Sequence, residues 1–117
     1  MNIVPVEDDD DILRRLPNIP GFIGEDKTIT SAVFKLSRAD QNGDKALSVN
    51  IEKLVNDIND IYNANTHKLV VFKARIPREC DCDCIHSPVV TDYSHGSIVN
   101  YENKHRKYFV NNCQLLA

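Results

Sequence analysis

The sequence has no uninterrupted apolar stretch near the roughly 20 residues that a transmembrane helix requires, so we expect no membrane partner. Its first residues, MNIVPVEDDDD, include neither the basic segment nor the apolar core of a secretory signal. We therefore expect a cytoplasmic location. Thiols stay reduced in that compartment, so we expect the four cysteines to be free. A disulfide, for example one to Cys113, is the less favoured alternative.

A strong charge of one sign is also missing, because 14 basic residues are balanced by 17 acidic ones. Nucleic-acid binding driven by net charge is therefore not indicated, although the basic cluster Lys104–Lys107 leaves a local patch open. The acidic run Glu7–Asp11 holds five of the 17 acids. An exposed acidic arm suits a positively charged surface, so we expect a protein partner, and a basic one fits this arm best.

Familiar catalytic signatures are absent as well. There is no glycine-rich phosphate loop, no Rossmann fingerprint, and neither the HExxH nor the GxSxG motif. RNP-like, KH and zinc-finger patterns are also missing. The composition is that of an ordinary globular chain, with 42% apolar and 26% charged residues. It predicts a single domain over residues 1–117, in which residues 1–7 form a loose arm.

Hydrophobic periodicity predicts an α+β fold, a small mostly antiparallel sheet with two or three packed helices. The clearest helix follows Asn50, where six apolar residues from Ile51 to Tyr62 recur at a period of about 3.6. Shorter helices are predicted over Asp8–Leu16 and in the tail from about Lys107. β-Branched and aromatic residues predict five strands, over residues 29–36, 46–49, 69–76, 89–93 and 97–101.

The first two predicted strands flank the polar turn Asp40–Asp44 and are expected to form a hairpin. The turn resembles the start of an EF-hand calcium loop, with oxygen ligands at its first, third and fifth residues. Such a loop needs glycine at its sixth position and glutamate at its twelfth, where this chain has Lys45 and Ile51. An ordinary chain reversal is therefore the favoured interpretation.

A second candidate metal site occupies alternate positions of one short segment. Its members are Cys80, Cys82, Cys84 and His86. Their side chains would point to one side of an extended chain, which suggests zinc, the one cofactor that the sequence leaves open. However, same-face residues of a strand lie about 6.5–7 Å apart, so a flat strand cannot wrap four ligands around one ion. A site would need a bend, or a ligand from Cys113, His95 or His105. Three reduced thiols on a surface loop are the favoured alternative.

The strongest candidate for catalysis combines a serine, a histidine and an arginine. His95 lies in a turn entering a strand, where a side chain can be both held and exposed. Ser48 lies in the predicted strand 46–49. With Arg15 or Arg38, this pair could carry nucleophilic or phosphoryl-binding chemistry. The sequence identifies no acid that would orient His95, so a strand hydroxyl and a turn histidine without catalytic roles are the commoner outcome.

Several short motifs resemble a type of small stand-alone bacterial protein with an "AF…D…LSV" hairpin and a late "P…H…I" segment. The matching residues are Ala32, Phe34, Asp40, Leu47, Ser48, Val49, Pro88, His95 and Ile98. The resemblance spans most of residues 12–101 and has no counterpart for the cysteine run. It implies one domain and a strand–turn–strand over residues 32–50, and it implies no activity.

Three functional hypotheses follow from these patterns. The first is a small cytoplasmic bacterial or phage protein, not an enzyme, that binds another macromolecule in an accessory, immunity or antitoxin-like role. The second is a small enzyme that acts on nucleotide or nucleic-acid phosphates with Ser48, His95 and Arg15. The third is a zinc-binding module built on residues 80–86.

Overall fold

The computed structural model describes residues 2–19, 21–23, 28–36 and 46–116. Six strands lie in these ranges: β1 Asp11–Pro17, β2 Leu47–Ile51, β3 His67–Lys73, β4 Asp83–His86, β5 His95–Val99 and β6 Gln114–Leu115. Two short α-helices follow β3 and β5, namely α1 Arg75–Glu79 and α2 Arg106–Asn111. Short 3-10 helices span Ser31–Phe34, Glu52–Leu54, Ile58–Asp60 and Asn103–His105.

All six strands belong to one antiparallel sheet with the order β4-β5-β2-β1-β3-β6. The predicted fold class, an α+β domain with two or three packed helices, is therefore wrong, because the described residues form mostly sheet. α1 has five residues and α2 has six, so neither can cover the sheet as a packed layer. Within the described ranges, none of the helices has the length and apolar content needed to cross a membrane.

β1 lies inside the sheet, so the first predicted helix is wrong. Residues 8–16 were expected to be helical because Ile12, Leu13 and Leu16 fit one helix face. In the sheet, Ile12 pairs with Ile51 of β2 and with Phe72 of β3. Ile12 and Leu16 join the main core, whereas Leu13 joins a smaller cluster. A strand buried on both sides has no strict alternation of apolar and polar residues, so its pattern mimics a helix.

The predicted helix over residues 51–62 is also wrong. Ile51 ends β2, and the following segment contains only the 3-10 helices Glu52–Leu54 and Ile58–Asp60. Part of its apolar surface still packs inward: Ile61 contacts Leu13 and Leu69, and Val55 and Tyr62 pack against the same cluster, whereas Ile58 is exposed. The segment therefore covers part of the second sheet face as irregular chain. A period of 3.6 predicted which side chains are buried better than it predicted the backbone.

The expected hairpin does not form as predicted. Residues 31–34 are a 3-10 helix, and β2 pairs with β1 and β5 instead. The strand–turn–strand over residues 32–50, which the resemblance implied, is therefore not found. The turn Asp40–Asp44 and the calcium interpretation of it lie outside the described residues. The strand over residues 89–93 is replaced by a single bridge between Val89 and Asp92.

Four other expected elements are confirmed in position. β2, β3 and β5 overlap the predicted strands, and α2 overlaps the predicted tail helix. α2 contributes Phe109 to the main core, where its ring meets those of Phe34 and Phe72 edge-on, at centroid distances of 5.4 and 5.5 Å. This aromatic cluster joins the 3-10 helix Ser31–Phe34, β3 and α2 on one side of the sheet.

The acidic run is paired within the chain. Its four aspartates contact Arg78 (Asp8, 2.6 Å), Arg75 (Asp9, 3.5 Å), Lys53 (Asp10, 2.6 Å) and Lys73 (Asp11, 2.9 Å). The preceding arm also makes contacts: the backbone N–H of Val4 donates to Nδ1 of His86 at 2.8 Å, and Tyr93 donates to the carbonyl of Asn2 at 2.9 Å.

Arg78 joins several of these segments. Its guanidinium donates to the Asp83 carboxylate at 2.9 Å and to the carbonyl oxygens of Val6, at 2.7 Å, and Cys84, at 3.2 Å. The hydrogen bond from Arg78 holds the pKa of Asp83 below its ordinary value of 3.8. Arg78 therefore links the N-terminal segment to β4.

We expect the Arg78–Asp83 ion pair to make the stability of the fold depend on pH in the acidic range. Because the pKa of Asp83 is lower in the folded state, its stabilising contribution is present above the unfolded pKa and is lost as pH falls through the folded pKa. Asp83→Asn should therefore show a smaller fall in urea midpoint than the natural chain between neutral pH and about pH 3. Glu52→Gln removes an exposed acid that has no ion pair within the described part of the chain, and it should retain the full fall. An equal fall in both variants would contradict the role of Asp83.

A second prediction concerns Gly96, where β5 passes closest to its neighbours. A Cβ at this position would lie 3.0 Å from the carbonyl oxygen of Ile85 and 3.1 Å from Cγ1 of Ile51. We expect Gly96→Ala to lower the free energy of unfolding by about 1–3 kcal/mol through overpacking, measured by urea denaturation. Val90→Ala, at a side chain that is 95% exposed, should change it by less than about 0.5 kcal/mol. Equal effects of the two substitutions would refute the close packing at Gly96.

Candidate functional site

A polar cleft of about 630 Å³ opens on the sheet face opposite the main core. It is bounded by β1, β2, the irregular segment after β2 and the loop that leads into β5. The polar side chains that line it include Arg15, Ser48, Asn50, Asp60, Asp92 and His95. Since Leu54, Val55 and Ile61 also line it, the cleft has an apolar side next to its polar floor.

The pairing of β2 with β5 places the predicted residues on this face. Leu47, Val49 and Ile51 alternate into the main core, which leaves Ser48 and Asn50 on the other side. Asn50 lies opposite His95, and Ser48 lies opposite Ser97. Ser48 and His95 are therefore diagonal neighbours across the two strands. Both line the cleft, and Arg15 reaches it from β1, whereas Arg38 lies outside the described residues.

His95 is oriented by the backbone. Its Nδ1 lies 2.8 Å from the carbonyl oxygen of Ser87 and 3.2 Å from the Ser87 hydroxyl. A carbonyl oxygen can only accept, so Nδ1 carries the proton and donates it. Nε2 has no hydrogen-bond partner within the described ranges. In the neutral ring this nitrogen is an acceptor, and a base would need such an atom.

A small network holds the turn in front of His95. Asp92 accepts hydrogen bonds from the backbone N–H and the hydroxyl of Ser94, at 3.0 and 2.7 Å. Asn50 donates both protons of its amide, to Asp92 at 2.7 Å and to Ser94 at 2.8 Å. β2 is thereby joined to the turn one residue before His95. Asp92, Ser94 and Asn50 are therefore positioning residues for the imidazole.

Sequence reasoning missed these three residues for identifiable reasons. Asn50 was expected to precede a helix, and Asp92 was placed inside a strand that does not form. The available signal was the spacing of Asp92 and Ser94, because an aspartate often accepts the N–H two residues ahead in a turn.

The two arginines of β1 have different partners. Arg14 donates to the carbonyl oxygens of Val33, Ser48 and Lys35 at 3.2, 2.7 and 3.3 Å, so its guanidinium fixes the 3-10 segment to β2. Arg15 is exposed and donates one hydrogen bond, to the carbonyl of Ile61 at 3.1 Å. Among the described residues Arg15 has no carboxylate partner. Its remaining N–H groups can therefore serve a ligand in the cleft.

The candidate ligands of the cysteine segment are not grouped as predicted. Cys80 and Cys82 lie together with His105, and the ligand atoms of these three residues are within 4.8 Å of one another. Cys84 and His86 do not belong to that group. Both ring nitrogens of His86 are engaged, since Nδ1 accepts from Val4 and Nε2 lies 2.7 Å from the carbonyl of Tyr93.

The thiols are buried to different degrees. All four cysteines are free. Burial raises the pKa of Cys82 and of Cys84 to about 12, and that of Cys113 to about 11. Thiols in such surroundings stay protonated and react slowly as nucleophiles. Cysteine-based nucleophilic catalysis is therefore not supported at these three positions.

Comparisons of the chain with protein-family models, with curated proteins and with solved structures found no match.

The hydrogen bonds predict opposite tautomers for two histidines. His95 should carry its proton on Nδ1, whereas His86 should carry it on Nε2 because its Nδ1 accepts the N–H of Val4. Long-range ¹H–¹⁵N correlation spectra of the neutral rings report these states directly. His86 serves as the internal control. Finding the Nε2–H form at His95 would contradict the orientation of its ring.

Proposed function

We propose that the polar cleft binds phosphate esters of the nucleotide or nucleic-acid class, and that His95 transfers a proton during their hydrolysis. The observation that carries this proposal is the pairing of two features in one cleft. Arg15 has no carboxylate partner in the described part of the chain, and His95 is held through Nδ1 so that Nε2 stays available. A phosphate ester fits both features: its negative charge suits Arg15, and its hydrolysis needs a proton acceptor such as Nε2 of His95.

Arg15 is the charged group in the cleft that would bind an anion. Arg15 can present a planar pair of N–H groups, which suits the oxygens of a phosphate. The Asp92 carboxylate accepts hydrogen bonds from Asn50 and Ser94, so its oxygens are already engaged. Ser48 adds a hydroxyl to the same cleft. A phosphodiester or phosphomonoester bound here would meet the Arg15 cation and several polar groups, while the carboxylates of Asp60 and Asp92 also line the cleft.

The proposed reaction is a hydrolysis. A water molecule attacks phosphorus, its proton passes to Nε2 of His95, and the P–O bond to the leaving alcohol breaks. The alkoxide then takes the proton from His95, so the imidazole returns to its neutral form. Arg15 stabilises the negative charge on the phosphoryl oxygens during the attack. Asn50, Asp92 and Ser94 act through the position of His95.

The hypothesis of a protein partner stays a prediction, in an accessory, immunity or antitoxin-like role. Its charge argument is weakened, because Asp8 and the next three residues already contact basic side chains of the chain. A basic partner would have to compete with those contacts. A cytoplasmic location in a bacterium or phage-infected cell is kept as part of this proposal.

The proposal predicts separable effects of binding and turnover. Arg15→Gln should weaken binding of a nucleoside monophosphate or a short oligonucleotide by about 10- to 100-fold, since a charge-assisted hydrogen bond contributes about 1.5–3 kcal/mol. His95→Gln should retain binding within a few-fold but lower the rate of hydrolysis by about 10²–10⁴. Calorimetry measures the first effect, and release of product from bis(p-nitrophenyl) phosphate measures the second.

Lys107→Gln provides the matched control, because it also removes one positive charge but does not alter the lining of the cleft. It should bind and react as the natural chain does. Equal losses in Lys107→Gln and Arg15→Gln would indicate nonspecific charge attraction. If the His95→Gln variant hydrolysed the ester at the wild-type rate, His95 would have no role in the reaction.

A further inference from the structure

Two thiols and one imidazole meet where the chain turns from α1 into β4. Cys80 follows the last residue of α1, Cys82 precedes β4, and His105 ends the 3-10 helix before α2. Their ligand atoms lie within 4.8 Å of one another. None of the three lines the polar cleft. The cluster is therefore a second candidate site, with a different chemistry.

We propose that Cys80, Cys82 and His105 bind one zinc ion through two thiolates and Nδ1. Thiolate and imidazole are the ligands that zinc takes most often in proteins, and three protein ligands leave a fourth position for water. Carboxylate-binding cations such as Mg²⁺ and Ca²⁺ are disfavoured, because they select oxygen ligands. The proposed ligand set replaces the one expected from sequence, which contained Cys84 and His86.

The separations fit a tetrahedral ion. Zinc–sulfur and zinc–nitrogen bonds of about 2.3 and 2.0–2.1 Å place sulfur and nitrogen roughly 3.6 Å apart at the tetrahedral angle. In the structure, Sγ of Cys82 lies 3.5 Å from Nδ1 of His105. Cys80 is the half-buried member of the group, so its side chain has the most room to complete the site.

A bend in the backbone lets neighbouring cysteines converge. Asp81, between them, has a φ of 68°, in the left-handed region that few residues other than glycine adopt. Aspartate tolerates that region better than most side chains do. The bend removes the obstacle of a flat strand, on which Cys80 and Cys82 would be about 6.5–7 Å apart. His105 then supplies a ligand from a distant part of the sequence.

The state of His105 also suits a metal. Its Nδ1 accepts the backbone N–H of Glu102 at 3.0 Å, so this nitrogen carries no proton of its own. Metal binding requires that unprotonated form. Zinc would take the place of this hydrogen bond, and two thiol protons would leave to solvent. The ion would then join the start of β4 to the start of α2 through direct bonds.

Titration of the full chain with Co²⁺ and Zn²⁺ under a thiol-free reductant tests the site. We expect one Co²⁺ per chain, with a thiolate charge-transfer band and the intense visible bands of tetrahedral cobalt, displaced by one equivalent of Zn²⁺. Cys80→Ser should lower zinc affinity by more than about 100-fold, the upper range for changes outside the ligand shell. Cys113→Ser, at another half-buried free cysteine outside the group, should bind as the natural chain does.

Wild-type chain loaded with ¹¹³Cd gives a measurement that needs no variant, because buried substitutions such as His105→Gln can impair folding. The cadmium shift should indicate two sulfurs and one nitrogen, with scalar coupling to the ring of His105. Coupling to His86, binding below about 0.2 equivalents, or undiminished affinity in Cys80→Ser would each overturn the proposal. Phosphate binding in the cleft is measured separately, so either proposal can fail without the other.

Discussion

The antiparallel pairing of β1 with both β2 and β3 is the constraint on which the rest of the structure depends. It places the strand closest to the N-terminus inside the sheet, between segments that lie about 35 and 55 residues later in the sequence. Each face of β1 then has its own partners. Ile12 and Leu16 pack into the main core, while Leu13 packs with Leu69 and Ile61 on the other side. The register of β1 therefore decides which residues face the core and which face the cleft.

The same register carries over to the neighbouring strands. Side chains of β2 alternate between the two faces in the same way: its apolar residues pack in the core, while Ser48 and Asn50 face the cleft. β5 continues this alternation through Gly96, where an added Cβ would lie only 3.0 Å from the carbonyl oxygen of Ile85 and 3.1 Å from Cγ1 of Ile51. His95 lies next to this close contact, and its strand therefore has little freedom to shift. In this way, the tightly packed core on one face of the sheet fixes the geometry of the polar groups on the opposite face.

Sequence patterns predicted burial better than they predicted backbone conformation. The strands around Val70, Val49 and Ile98 were predictable because β-branched residues and alternation agree there. β1 and the segment after Ile51 were not, because burial on two faces and an irregular covering segment both imitate a helical period. Ser48, His95 and Arg15 were named from local context, yet their meeting in one cleft depends on pairings between distant strands. His105 was one of three possible additional ligands for the cysteine segment, and the sequence could not choose among them because the approach of His105 depends on the path of the chain after β5.

The polar face of the sheet is stable only if its buried polar groups have hydrogen-bond partners. The groups that already have partners are not the ones that remain for a ligand. Burial of polar groups without partners would cost about 1–3 kcal/mol each. In the described part of the chain, no buried side-chain nitrogen or oxygen lacks a hydrogen-bond partner. Asn50, Asp92 and Ser94 satisfy one another, and Arg14 is engaged by carbonyl oxygens. Arg15 and Nε2 of His95 are among the accessible groups in the cleft that remain for a ligand. If the cleft has the function proposed above, this arrangement holds Arg15 and His95 in place before a substrate arrives, because the buried polar groups around them already have partners.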